Sequence, residues 1–267
     1  MKQLSKDDTG LEYTKKIDDL LKADSRERMF QDYIISPFLQ RVLVDYEIVP
    51  VDIKVSGKAH DYGKYCGEYG SHDKDGKTLR FIETPDLCVA KGWKWINDDG
   101  KTDYIATVEI KTPLSDNEFW IAPGYEEGEE RKIIFENKVS DMVDFINNHM
   151  LSRDNIGYPY EDDDKHCKDI KKQVGIHLRG LNKVIVTDGI RWMFFYKDEN
   201  GVCHALNPID LGTRICRRLR KRYKHVRIEW DTEVFDIKGV KIPTGPKNFS
   251  RLEIQIQEFC KKNVTQF

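Results

Sequence analysis

No segment of this chain approaches the roughly 18–20 consecutive apolar residues that a membrane-spanning helix requires. Its opening residues, Met1 to Asp8, hold no apolar stretch of the kind a secretion signal carries. Six cysteines (Cys66, Cys88, Cys167, Cys203, Cys216 and Cys260) fall without a CxxC pair and without zinc-type spacing. Disulfide frameworks belong mainly to small secreted chains, so these are expected to be reduced thiols in a soluble, cytoplasmic protein without membrane association. Internal repeats and low-complexity linkers are absent as well, so nothing forces a division into two domains. A Gly-x-x-x-x-Gly-Lys-Ser/Thr phosphate loop is missing, and any translocation along a polymer would have to come from a partner. Excess charge of one sign is also lacking. Lys and Arg number 44 against 46 Asp and Glu, for a net charge of -2, so total charge does not argue for a polyanionic partner.

What is present describes a folded protein with a charged surface. Hydrophobic residues make up 39%, aromatics 11% and charged residues 34%, which excludes a disordered chain. At 267 residues there is room for one large domain, or a core with a small appendage.

The pattern of apolar residues changes along the chain. Leu11, Tyr13, Ile17, Leu20 and Leu21 fit a short helix within 1–22. Met29, Phe30, Tyr33, Ile34 and Phe38 predict a stronger helix over 25–42, with Pro37 kinking or ending it. Val49, Val51, Ile53 and Val55 alternate as in a strand. Residues 79–91 and 103–112 read as two further strands joined through Asn97-Asp98-Asp99-Gly100. Helices are predicted over about 132–150 and 164–180. Strands follow at 183–186 and 192–196, around a Thr187-Asp188-Gly189 turn. The remainder predicts a basic helix near 209–224, a strand near 226–237 and a final helix over 248–262. This order gives an α/β or α+β core with a mixed sheet.

Within it, Pro85-Asp86 interrupts one strand, and Glu109-Ile110-Lys111 ends its expected hairpin partner. Alternate strand residues share a face, so Glu109 and Lys111 project together while Ile110 enters the core. If the hairpin brings Asp86 alongside, two carboxylates and one ammonium converge. Two carboxylates suit a hard divalent cation, Mg²⁺ or Mn²⁺, which keeps several waters and binds phosphate. Such a cation polarises a phosphoryl oxygen and acidifies a bound water. A lysine beside it can orient that water or offset developing charge.

These residues resemble a known signature. Glu83-Thr84-Pro85-Asp86 followed by Val108-Glu109-Ile110-Lys111 is similar to that of the PD-(D/E)XK nucleases. Among these it most resembles the N-terminal nuclease domain of type I restriction enzyme R subunits. Glu27 sits where those domains often carry an acidic residue, and Gln173 where related nucleases often carry a glutamine. The run Val186-Thr187-Asp188-Gly189 followed by Trp192 resembles their hairpin. Position 177, four after Gln173, is histidine where the Gln-x-x-x-Tyr version has tyrosine. The resemblance implies an α/β fold with a restriction-endonuclease-like core: a central mixed β-sheet flanked by helices, a helical insertion and a C-terminal basic α/β extension. One nuclease domain would then occupy 1–267, with its core at about 24–197 and the extension at about 205–267. It implies metal ligation by Asp86, Glu109 and the Ile110 carbonyl. Lys111, Glu27 and Gln173 would complete the catalytic set.

Each residue also has a plain structural reading. Glu27 fits the third helical position of a capping box begun by Asp24. Asp86 fits a turn after proline, Glu109 and Lys111 a solvated strand face, and Gln173 a surface helix position. The Thr187–Gly189 segment reads as a structural hairpin. His60, His72 and His177 are further ligand candidates that nothing in the sequence places.

Residues 213–227 contain no acidic residue. Leu211, Ile215, Leu219 and Tyr223 recur every four positions, which predicts a helix with one apolar stripe. Arg214, Arg217, Arg218, Lys221, Arg222 and Lys224 would then contact phosphates. The alternative is that this basic element docks on the acidic segments at 126–130 or 161–164. The expected function is metal-dependent hydrolysis of phosphodiester bonds in nucleic acid, DNA before RNA, with a restriction or defence role following from the resemblance alone. Against it stand a nuclease-fold binding module that does not cut and a ribonuclease on the same scaffold. Partner subunits or a homodimer are open.

Overall fold

Leu11, Tyr13, Ile17, Leu20 and Leu21 line one side of α1 (Lys6–Ala23), where Tyr13 and Ile17 are buried. The computed structural model describes residues 6–24, 26–51, 67–72, 78–94, 102–113, 130–133, 139–151, 170–220, 223–237 and 240–267. The segment predicted as one helix over 25–42 is α2 (Glu27–Phe30), a π-helical turn (Gln31–Ile35) and α3 (Ser36–Val42). The wider turn lies directly before Pro37. That residue lacks the N–H which a regular helix would bond to the Tyr33 carbonyl.

The strands that follow are β1 (Glu47–Pro50), β2 (Gly67–His72), β3 (Thr78–Glu83), β4 (Leu87–Lys91), β5 (Asp103–Ile110) and β6 (Glu130–Ile133). Next come α4 (Val139–Phe145), which continues into a π-helical turn (Ile146–Leu151), and α5 (Ile170–Gly180). Then come β7 (Lys183–Thr187), β8 (Arg191–Lys197), β9 (Cys203–Ala205), β10 (Ile209–Asp210), β11 (Gly212–Arg220) and β12 (Tyr223–Trp230). The chain closes with β13 (Thr232–Ile237), β14 (Val240–Pro246) and α6 (Phe249–Lys261).

The architecture is mixed α/β. A central seven-stranded sheet runs β1-β4-β5-β7-β8-β10, with β9 also paired to β8. Its pairings are antiparallel except β5–β7, which is parallel and has α5 in the connection between them. Alternation along the strands divides the core between the two faces. Val108, Ile110, Ile185 and Phe194 meet α1, α3 and α6 on one side. Val184, Val186, Met193 and Phe195 meet α4 and α5 on the other. All five positions of β7 are buried, as a strand covered on both faces requires. The C-terminal residues belong to this same body. Leu252, Ile256 and Phe259 of α6 share a cluster with Phe38, Leu39 and Phe194. Lys183 donates from Nζ to the Phe259 carbonyl at 2.7 Å and also reaches the carbonyls of Cys260 and Lys262. A cation thereby holds the C-terminus of α6 against β7.

Several predicted elements differ. The strand expected over 79–91 is two strands in different sheets: β3 pairs with β2, and β4 joins the central sheet. Thr84-Pro85-Asp86 separates them, since a proline cannot donate to a ladder. Residues 130–133 form β6, and the helix expected from 132 begins at Val139. The basic segment is not a helix. It forms β11 and β12, an antiparallel pair extended by β6 on the far side of β11. Spacing of four places Leu211 and Ile215 on one side of a strand as well as of a helix, so that pattern did not discriminate. The 97–100 turn and most of 113–169 lie outside the described residues. Among the described residues no helix is long and apolar enough to cross a membrane.

Candidate active site

The carboxyl ends of the parallel strands β5 and β7 lie side by side, and the Lys111 N–H bonds the Thr187 carbonyl at 2.8 Å just past the ladder. Leu87 at the start of β4 pairs with Val108, so Asp86 falls beside Glu109 and Ile110. Its Oδ2 accepts the Ile110 N–H at 2.7 Å, and Oδ1 accepts no hydrogen bond from a described residue. The Asp86 carbonyl accepts from Val51 N at 3.2 Å and from Gln31 Nε2 at 3.3 Å. Gln31 lies in the π-helical turn and is buried, so that turn fixes the backbone carrying Asp86.

Glu109 and Lys111 project together, as alternation required, and both are buried, 4% and 6% exposed. A solvated strand face is therefore excluded for this pair. Lys111 Nζ donates to Glu109 Oε1 at 2.5 Å. The other oxygen, Oε2, lies 3.0 Å from Nε2 of His177 on α5. Glu27, at the first position of α2, adds a third, half-buried carboxyl near Lys111 and Glu109. It is not a cap: the residue preceding α2, Arg26, offers no side-chain cap, and Asp24 accepts the Arg26 N–H instead.

The electrostatics follow from three carboxyls around one ammonium in a desolvated place. Burial pushes the Asp86 carboxyl well above its usual range, and repulsion from Glu109 and Glu27 adds to this against the Ile110 N–H and Lys111. Burial also raises Glu27, opposed by Lys111. Glu109 goes the other way. Desolvation is outweighed by Lys111 and His177, which together hold it at about 2. The surrounding carboxylates raise Lys111 despite its burial, so it stays protonated.

Gln173 is buried on α5, one helical turn before His177 and on the same side of the helix, rather than at an ordinary surface position. Of the residues expected to contact phosphate, Arg214 is buried, 2% exposed, in an ion pair with Asp188. It is therefore not a surface contact. Its strand places it on the side that faces the core, together with Val226 and Ile228 of β12. Arg217 is exposed on β11, in register with Glu130 and His225, while Arg218 and Lys224 are register partners. Lys221, Arg222, His60 and the five residues 73–77 that follow His72 lie outside the described residues.

The Thr187–Trp192 hairpin is structural. Asp188 Oδ1 accepts the N–H groups of Ile190 and Arg191, both at 2.9 Å, and Thr187 Oγ1 accepts that of Gly189 at 2.9 Å. Gly189 has φ +85°, which only glycine adopts without strain, and Tyr13 seals the turn by donating to its carbonyl at 2.7 Å.

Among the described residues no three His, Cys, Asp or Glu side chains form a group that could hold a metal ion. The donors the chain supplies are two carboxylates and main-chain oxygen, which completed by water make the kind of set on which Mg²⁺ is commonly held. They fit a divalent cation: Asp86 Oδ1 is not engaged by a described residue, and three carboxyls outweigh one ammonium. No family model, curated protein or solved structure matches the chain.

Proposed function

We propose that the chain is a metal-dependent nuclease hydrolysing phosphodiester bonds, on a restriction-endonuclease-like core, with DNA the first substrate to test. The observation that carries this reading is the set of Asp86, Glu109 and Glu27 around Lys111 at the carboxyl ends of β5 and β7, with Glu109 and Lys111 buried and the other two half-buried. Folding gains nothing from leaving uncompensated carboxyls there, and a divalent cation is the ligand that offsets them. Asp86, Glu109 and the Ile110 carbonyl would hold it. When bound, Mg²⁺ or Mn²⁺ supplies Lewis-acid polarisation of a phosphoryl oxygen and a more acidic water.

The remaining roles fall to the chain itself. Lys111, kept protonated by its neighbours, offsets negative charge that develops on the phosphoryl oxygens. Glu109 anchors that ammonium through Oε1. Glu27, whose pKa burial raises, would act on the site through a water. Arg217, exposed on β11, supplies an expected phosphate contact along the backbone of the substrate, now from a strand rather than a helix.

The test offers linear, circular and single-stranded DNA, and RNA, with Mg²⁺, Mn²⁺ or EDTA. Cleavage of at least one substrate is expected with metal and none with EDTA, with loss in the D86N variant. Equal behaviour of wild type and D86N on every substrate would sink the catalytic reading. Salt-sensitive binding without any cutting would instead identify a binding module.

A further inference from the structure

We propose that His177 is a positioning residue of this site, whose Nε2–H holds the Glu109 carboxylate in the orientation that meets a divalent cation. The proposal rests on the metal reading above. His177 is wholly buried, and its Nε2 lies 3.0 Å from Glu109 Oε2. The other ring nitrogen, Nδ1, is buried with no hydrogen-bond partner among the described residues. A neutral imidazole carries one donor and one acceptor. A proton placed on Nδ1 would be a buried unsatisfied donor and would leave Nε2 as a lone pair facing carboxylate oxygen. The proton therefore belongs on Nε2, pointing at Glu109.

The ring is also fixed in space. Gly175, two residues before it, lets α5 lie against Met150, where a Cβ would meet the methionine side chain at 2.6 Å. That close packing resists displacement of α5 toward Met150. Glu109 is thus clamped by Lys111 on Oε1 and His177 on Oε2. Each carboxylate oxygen has about two lone-pair sites, so each keeps one for a cation. The two donors decide which one. Hydrogen-bond partners of this kind orient metal-binding carboxylates, and their loss weakens metal binding by about 10–100-fold.

The test compares wild type, H177F, which fills the space without a donor, and H177Q, which restores an N–H donor. Mn²⁺ affinity is measured by calorimetry without nucleic acid, and folding by thermal melts. In parallel, ¹⁵N spectra of the imidazoles of wild type read the tautomer directly. The expected result is an Nε2–H tautomer for His177, Mn²⁺ binding about 10–100-fold weaker in H177F, and recovery in H177Q. An Nδ1–H tautomer overturns the proposal, as does a folded H177F that binds Mn²⁺ as tightly as wild type. If H177F does not fold, the wild-type spectra decide. Wild-type protein that takes up no Mn²⁺ overturns the metal reading itself and this proposal with it, a failure visible before any variant is compared.

Discussion

The D86N variant is expected to lose metal-dependent cleavage by at least a thousandfold, a barrier increase of about 4 kcal/mol. Without metal at pH 8 it is also expected to be more stable than wild type, by about 1 kcal/mol. An asparagine oxygen can still accept the Ile110 N–H that Asp86 Oδ2 accepts at 2.7 Å. The variant removes only the charge that burial and two neighbouring carboxyls oppose. The pH dependence has a definite sign. Asp86 is raised in the folded chain, so the stability it contributes is fully present below its unfolded pKa of about 3.9 and is lost as pH rises through the folded value. Asparagine has no such dependence. Urea melts of both proteins with EDTA should therefore coincide near pH 4 and separate as pH rises, with D86N the more stable. A gap that stays constant, or a wild type that is the more stable at pH 8, would show that Asp86 is not a strained buried carboxyl.

Lys111→Ala is expected to abolish cleavage and also to cost stability, which distinguishes it from D86N. Lys111 is the ammonium that Glu27, Asp86 and Glu109 all stabilise, with a side chain only 7% exposed. Breaking a buried pair by removing one partner costs about 3–5 kcal/mol, less whatever the carboxyls recover by taking up protons. Glu109 depends on it most. Its depressed pKa, about 2, means that its contribution is present above the unfolded value and is lost as pH falls toward that figure. Without Lys111 that acid stability should shrink. Removing Lys111 takes a competing positive charge from the site and also one of the two donors that orient Glu109, so cleavage is read at saturating Mn²⁺. Cleavage within tenfold of wild type under that condition would remove Lys111 from the chemistry.

Much of this site was legible in the sequence because strand geometry is strict. Period-two alternation put Glu109 and Lys111 on one face with Ile110 in the core, and the Leu87–Val108 register brought Asp86 beside them. Pro85 marked where the strand had to break. His177 was less accessible. Its contact with Glu109 spans 68 positions and depends on how α5 crosses between β5 and β7. The one local signal was its place one turn after Gln173 on the same face. The basic segment misled for a physical reason: spacing of four satisfies both helical and extended periods, and nothing in 209–224 broke the tie. Arg214 shows the same limit, since a positive charge in a basic run does not reveal that Asp188 on another hairpin will bury it.

Divalent-cation binding by Asp86 and Glu109 can be read without any substrate. The most direct test is calorimetric titration of Mn²⁺ into the metal-free wild type and D86N at about pH 6, in two buffers of different ionisation enthalpy. Wild type is predicted to show saturable uptake, with any proton release larger than in D86N because metal binding favours the ionised form of a carboxyl whose pKa burial raises, and D86N to lose the uptake. No uptake by wild type, or the same uptake by D86N, would contradict the account.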